Sequence, residues 1–205
     1  MLDYYLISGN STILVEEFQL CDDFTASGIN SVEWAPSTGW RSAGTSSRGI
    51  RADAGLRSRV TPMSREAAAR TYALLGGGEL APEEALRPLL QDHQPLPAAT
   101  PLDLGLLPEG TRRYRVLFAG ELGERELAGV RAALGLEPGP QAGATLDGHV
   151  LTWELRQVAA GIAWCLDVTV QVGAGPLSAV GSLLDGHRQT IRERGLIPVT
   201  IERFA

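Results

Sequence analysis

The order of apolar and polar positions places most of the elements. Tyr4–Ile7 and Ile13–Leu20 are rich in aromatic and β-branched residues and flank the turn residues Ser8-Gly9-Asn10-Ser11, which predicts a β-hairpin. Val32-Glu33-Trp34 and Trp40-Arg41 around Pro36-Ser37-Thr38-Gly39 predict a second, shorter one. Ser64 is placed to cap a helix through Ala67, Ala68, Ala69, Tyr72 and Leu75 that stops at Gly76-Gly77-Gly78. Pro82 suits the first turn of another helix, with Glu83 and Glu84 near its positive end and Leu86, Leu89 and Leu90 inward. A further helix is expected over Ile50 to Val60.

The second half has a more regular order. Tyr114–Phe118 reads as a strand, and Glu124–Leu134 as a helix with Leu127, Val130 and Leu134 at helical spacing and Gly135 as its stop. A Gly/Pro-rich loop is expected from Pro138 to Gly148. His149–Arg156 places Leu151, Trp153 and Leu155 on one face of a strand. From Ile162 to Val172 the alternation is unbroken: Ile162, Trp164, Leu166, Val168, Val170 and Val172 point inward, and Cys165, Asp167, Thr169 and Gln171 outward. Leu177–Arg194 is a helix carrying a stripe of Leu177, Val180, Leu184 and Ile191, and Ile197, Val199 and Ile201 form a last strand. This β-α-β-β-α-β order resembles the ferredoxin-like sandwich, an architecture that hosts many unrelated functions and implies none.

Between the halves, Gln94–Gly110 holds Pro95, Pro97, Pro101 and Pro108, with Leu96, Leu102, Leu104, Leu106 and Leu107 among them. Proline disfavours helix in the residue before it, so this reads as an extended connection laid on a domain surface. The expected division is a small α+β domain at 1–96, strands first and helices after, a Pro-rich linker at 97–110 and a ferredoxin-like domain at 111–205, an α+β chain throughout.

Composition narrows the function classes. The 205 residues are 44% hydrophobic and 20% charged, which predicts a folded core rather than disorder. There is no apolar run near the ~20 residues that cross a bilayer, and the first residues have neither the basic region nor the apolar length of a signal peptide. The net charge of -6 argues against a protein that lives on phosphate backbones, so no nucleic-acid and no membrane partner is expected. All 18 basic residues are Arg, as GC-rich coding produces. Cys21 and Cys165 lie far apart in sequence, which fits free thiols in a cytoplasmic chain better than a disulfide framework.

Motifs that could carry chemistry are few. Gly173-Ala174-Gly175-Pro176-Leu177-Ser178 resembles the start of a dinucleotide fingerprint, but Ser178 stands where a third Gly belongs, and too little chain follows for a doubly wound domain. A strand-to-helix turn accounts for it. His93, His149, His187 and the cysteines show no paired ligand spacing, so no metal and no cofactor is expected. His93 and His149 are expected to face solvent and His187 to lie at a core edge. Cys165 beside Asp167 has no imidazole base in sequence, and no Ser lies in a G-x-S-x-G elbow. The outward sheet face offers Arg115, Thr152, Glu154, Asp167 and Thr169, with Trp153 and Trp164 on the helix side, an arrangement unsuited to stacking RNA bases.

Charge is segregated in the first part. Residues 1–40 hold six acids and no Arg; residues 41–70 hold seven Arg against Asp53 and Glu66. The Arg segment neutralises the acidic hairpin, or is a flexible Ser/Gly loop without a partner, or Trp40, Arg41, Arg48 and Arg51 form a surface for an anionic or protein partner, with Arg48 and Arg51 exposed and Arg41 half packed beside Trp40. With no catalytic constellation, the expectation is a non-enzymatic interaction protein (adaptor, regulator, or inhibitor or immunity type) that binds another protein. The alternative is an enzyme or small anionic-ligand binder with its site in an interdomain cleft.

Overall fold

A computed structural model describes residues 1–97, 108–137, 139–159 and 163–205. The chain is α+β and divides into two compact units, 1–19 with 27–96 and 20–26 with 97–205. Most of the expected connection at 97–110 lies outside the described residues.

The first unit is built on strands β1 (Asp3–Ile7), β2 (Thr12–Leu20), β3 (Ala26–Ala35), β4 (Gly39–Arg41), β5 (Val60–Met63) and β6 (Asp92–Pro95). The sheet runs β4-β3-β2-β1-β5, with β6 also paired to β3. Both expected hairpins form. The β1–β2 register pairs Tyr4 with Val15 and Leu6 with Ile13 on one face, and Asp3 with Glu16 and Tyr5 with Leu14 on the other. Most residues of β1 and β2 are buried, because helices cover both faces. On the first face, Tyr4, Ile13, Val15, Val32 and Trp34 pack with Ala68 and Tyr72 of the helix Arg65–Leu74 and Leu86 of Glu83–Leu86. Ser64 caps the former by accepting from the Ala67 N–H at 3.2 Å, as its position in sequence predicts.

On the second face lies α1 (Gly44–Ala52), which buries Ser47 and Ile50. Its own N-cap residue, Ala43, has no side-chain acceptor; Asp92 of β6 supplies one, accepting from the Ala43 and Gly44 N–H groups at 2.5 and 3.2 Å. The single helix expected over Ile50–Val60 is corrected. It breaks at Asp53, whose carboxylate accepts from Gly55 and Leu56 and starts a short second helix, Ala54–Arg57, and Val60 already opens β5.

The second unit contains β7 (Thr111–Ala119), α5 (Glu124–Ala133), β8 (Gln141–Leu146), β9 (His149–Ala159), β10 (Ala163–Gln171), α6 (Ser178–Arg192) and β11 (Ile197–Arg203), where α2, α3 and α4 denote the helices Ala54–Arg57, Arg65–Leu74 and Glu83–Leu86. The sheet order is β11-β7-β10-β9-β8 and all its pairs are antiparallel. β10 therefore lies between β7 and β9, which run parallel to each other on either side of it, as in a split βαβ unit. Tyr114, Val116 and Phe118, Leu151 and Trp153, and Trp164, Leu166, Val168 and Val170 are buried on one face, joined by Val130, Leu134, Val180, Leu184 and Ile191 from the helices. Each such aliphatic or aromatic side chain contributes ~1.5–3 kcal/mol when fully buried.

The expected loop from 138 to 148 is corrected: most of it is β8, an edge strand added to the anticipated set. Asp147 and Gly148, at φ of 48° and 81°, make the two-residue turn into β9. In the same unit, the Phe24 ring occupies the space that a side chain on Gly181 would need, which accounts for a glycine in the middle of α6.

Candidate functional site

The face of the second sheet opposite its helices is polar and concave. Cross-strand register builds it in rows, since directly paired residues share a face. One row runs Gln141, Glu154, Asp167, Arg115, Glu202; the next runs Gly143, Thr152, Thr169, Arg113. From these rows all but Glu202 and Gly143, together with Arg156 and Phe204, line a hollow of about 260 Å³. Phe204 is held at the rim by its own backbone, whose N–H donates to the Arg113 carbonyl at 2.9 Å.

Asp167 organises the middle of this face. Its Oδ1 accepts from Arg115 Nε at 2.7 Å and its Oδ2 from Arg115 at 3.1 Å and from Arg156 Nε at 2.9 Å. Burial alone would raise the Asp167 carboxyl, but the hydrogen bonds and charges of Arg115 and Arg156 outweigh it and hold it below the usual carboxylate range. In return, the hydrogen bond to Asp167 lifts Arg115 above its ordinary value. The Arg115 guanidinium also lies 4.6 Å from the Phe204 ring centroid, a cation–π contact.

Two charges around this network are differently placed. Arg113 lies 5.9 Å from the Phe204 centroid and touches Thr169 Oγ1 only at a long 3.4 Å through Nε. Among the described residues, no carboxylate engages the Arg113 guanidinium and no hydrogen bond or ion pair engages the Glu154 carboxylate.

Among the described residues, the titratable groups of this face and of the helix side are placed as follows. Cys165 is fully buried, and burial followed by the Asp167 charge pushes its thiol up, away from thiolate. Asp167 has both oxygens committed. On the helix side, burial lowers His187 to about 4, its ring is 4.6 Å from Trp153, and among the described residues its Nε2 has no partner. It is neutral at pH 7, as a half-buried imidazole lowered to about 4 by desolvation must be. Among the described residues, no three His, Cys, Asp or Glu side chains gather where a metal could bind.

The residues singled out in the first unit are brought together only in part. Arg51, expected to be exposed, is buried against Glu16, with its Nη atoms 2.8 and 2.7 Å from the two carboxylate oxygens and side-chain exposures of 6% and 0%. The reason is topological: Glu16 and its cross-strand partner Asp3 are both buried under α1, and Arg51 is the cation that α1 brings over them. Burial would lower Arg51, but the Glu16 charge and hydrogen bonds, with further help from Tyr5 and Asp3, leave it raised. Arg41 is half exposed and pairs with Glu33 at 2.7 Å. Trp40 stacks on Tyr72 at 5.8 Å against the core of the unit. Arg48 is exposed.

The glycine motif is a packing motif. A Cβ on Gly173 would overlap the Gly148 carbonyl and one on Gly175 the Asp147 carbonyl, so the β8–β9 turn fills the space that a pyrophosphate would need. His149, expected to face solvent, is fully buried and clasps this turn. Its Nδ1 accepts from the Gly173 N–H at 3.0 Å, which leaves Nε2–H to donate to the Pro176 carbonyl at 3.1 Å. His93 is exposed on β6, with Nδ1 2.8 Å from Asn30 Oδ1.

Sequence reasoning found Arg115, Thr152, Glu154, Asp167 and Thr169 of the open face but missed Arg113, Arg156, Gln141 and Phe204. The first two follow from carrying the two-residue period one step further along β7 and β9. Gln141 was hidden by the loop expected in place of β8, although Asp147-Gly148 is a strong hairpin signal. Comparison with models of known protein families, with curated proteins and with solved structures finds no match for this chain.

Proposed function

We propose that this chain is a non-catalytic cytoplasmic interaction protein, of the adaptor, regulator or inhibitor type, and that it binds a protein partner on the open face of its second sheet. One observation carries the reading: the charges at the centre of that face are tied to one another in the Arg115–Asp167–Arg156 network, while Arg113 and Glu154 at its margins have no ionic partner among the described residues. A catalytic site needs a base or nucleophile with an accessible, tuned proton, and Cys165, Asp167 and His187 are each occupied or shut away. A shallow hollow of about 260 Å³ is smaller than the usual cleft for a drug-sized molecule and suits the tip of a protein surface. Its fixed ion pairs act as a preordered polar surface, which gives specificity and on-rate to protein recognition. No described helix is long and apolar enough to cross a membrane.

Affinity capture from the native cell tests this reading. A partner retained by the unaltered chain should be lost with Arg113→Glu and released by raised salt, with the variant's circular dichroism unchanged. Retention undiminished by Arg113→Glu and Glu154→Arg together would overturn it. A second reading, a binder of small anions on the same face, is favoured by the excess of three guanidinium groups over two carboxylates in the hollow. It predicts that a free dicarboxylate or phosphate displaces nothing but itself binds.

A further inference from the structure

We infer that recognition on this face works by an acid–base pair: the partner places a carboxylate on Arg113 and a cationic side chain on Glu154. The inference rests on the protein-binding reading above and names what the partner must present.

Charge accounting within the hollow leads to it. Asp167 accepts from Arg115 and from Arg156 through both oxygens, so each of these three groups already has an ion-pair partner, although two guanidinium groups share one carboxylate. Arg115 is further screened by the Phe204 ring. Arg113 and Glu154 remain, of opposite sign and with no ionic partner among the described residues. They line one hollow from its two sides, on β7 and β9, with the β10 residues Asp167 and Thr169 between them.

Geometry keeps them from satisfying each other. Arg113 is level with Thr169 and Thr152, whereas Glu154 is level with Asp167. They are thus two strands and two residues apart, a backbone offset of about 12 Å from strand spacing and rise. Asp167 with its two arginines occupies the direct path from Glu154 to β7. A ligand with charge of one sign satisfies one end and meets repulsion at the other. Only a surface with both signs, set apart by a few residues, complements both ends. Thr152 and Thr169 between them offer hydroxyls to the intervening backbone.

Two-dimensional amide NMR of the full 205-residue chain at low ionic strength tests the pairing, with three probes: the peptide Ac-Glu-Ala-Lys-NH2, its neutral counterpart Ac-Gln-Ala-Gln-NH2, and sodium phosphate. The charged peptide should shift Arg113, Thr152, Glu154 and Thr169 saturably, in the millimolar range. Arg113→Gln and Glu154→Gln should each weaken it at least threefold with the remaining spectrum unchanged. Equal shifts from the neutral peptide, equal shifts from phosphate, indifference to both substitutions, or no shift at all would each overturn the inference. Failure of the wider reading shows separately. A captured protein that needs Arg113 while the charged peptide is inert sinks the acid–base pair alone. A peptide that binds as described, with no protein captured, leaves the pair standing and removes the protein partner.

Discussion

Arg51→Met is the sharpest test of how the first unit is held together. The guanidinium spans both oxygens of Glu16 at 2.7 and 2.8 Å, with side-chain exposures of 6% for Arg51 and 0% for Glu16. Asp3 stands directly opposite Glu16 on β1 and is 1% exposed. Removing the cation takes the bidentate partner from a buried Glu16 carboxylate, and breaking a buried pair in this one-sided way costs ~3–5 kcal/mol. Methionine keeps most of the buried volume, so the loss reports charge rather than a cavity. Urea unfolding gives the total, and hydrogen exchange of the β1 and β2 amides localises it to the first unit. The double variant Glu16→Leu/Arg51→Met should recover more than half the loss, because an apolar pair of similar size replaces a buried ion pair at little cost. Arg48→Gln, on the exposed side of the same helix, should stay within about 0.5 kcal/mol. A loss below about 1 kcal/mol for Arg51→Met would refute the reasoning, since that is the value of an exposed pair.

Acid should expose His187. Its folded value is about 4 against an unfolded 6.5, so below pH 6.5 the unfolded chain takes up a proton that the folded one refuses. Stability contributed by neutral His187 is intact above pH 6.5 and falls by ~3 kcal/mol as pH drops to about 4. His187→Phe, which keeps a ring beside Trp153, should flatten that limb of the urea-midpoint profile, and parallel profiles would contradict the assignment. Of the two thiols, exposed Cys21 should react with a disulfide reagent in the native state, and buried Cys165 only after denaturant is added; comparable native rates would show that the open sheet face is looser than described.

Periodicity made much of the fold legible. The β1–β2 hairpin could be read because Tyr4–Ile7 and Ile13–Leu20 are apolar enough for either face and Ser8-Gly9-Asn10-Ser11 can only turn. The alternation in β10 and the helical stripe of α6 could be read because the large apolar side chains of each lie on one side. Three strands were not legible for a shared reason: each is short and exists through its neighbour. β5 carries Pro62 at the sheet edge, β6 is the polar Asp92–Pro95 paired to β3, and β8 is Gln141–Leu146, with a central Gly and no β-branched residue before Thr145.

The charged residues divide in the same way. The sequence by itself determined that acids crowd the first forty residues and arginines the next thirty, and that Arg115, Glu154 and Asp167 share a sheet face, since a two-residue period is local geometry. Which arginine is spent inside was decided only by the tertiary structure. Arg41, Arg48 and Arg51 look alike along the chain, yet only Arg51 faces the buried Glu16, because α1 lies across β2 with that side inward. Likewise, the Arg115–Asp167–Arg156 network and the unengaged Arg113 and Glu154 depend on cross-strand register, which brings to Asp167 one arginine 52 positions away and another 11 away and leaves no trace in local spacing.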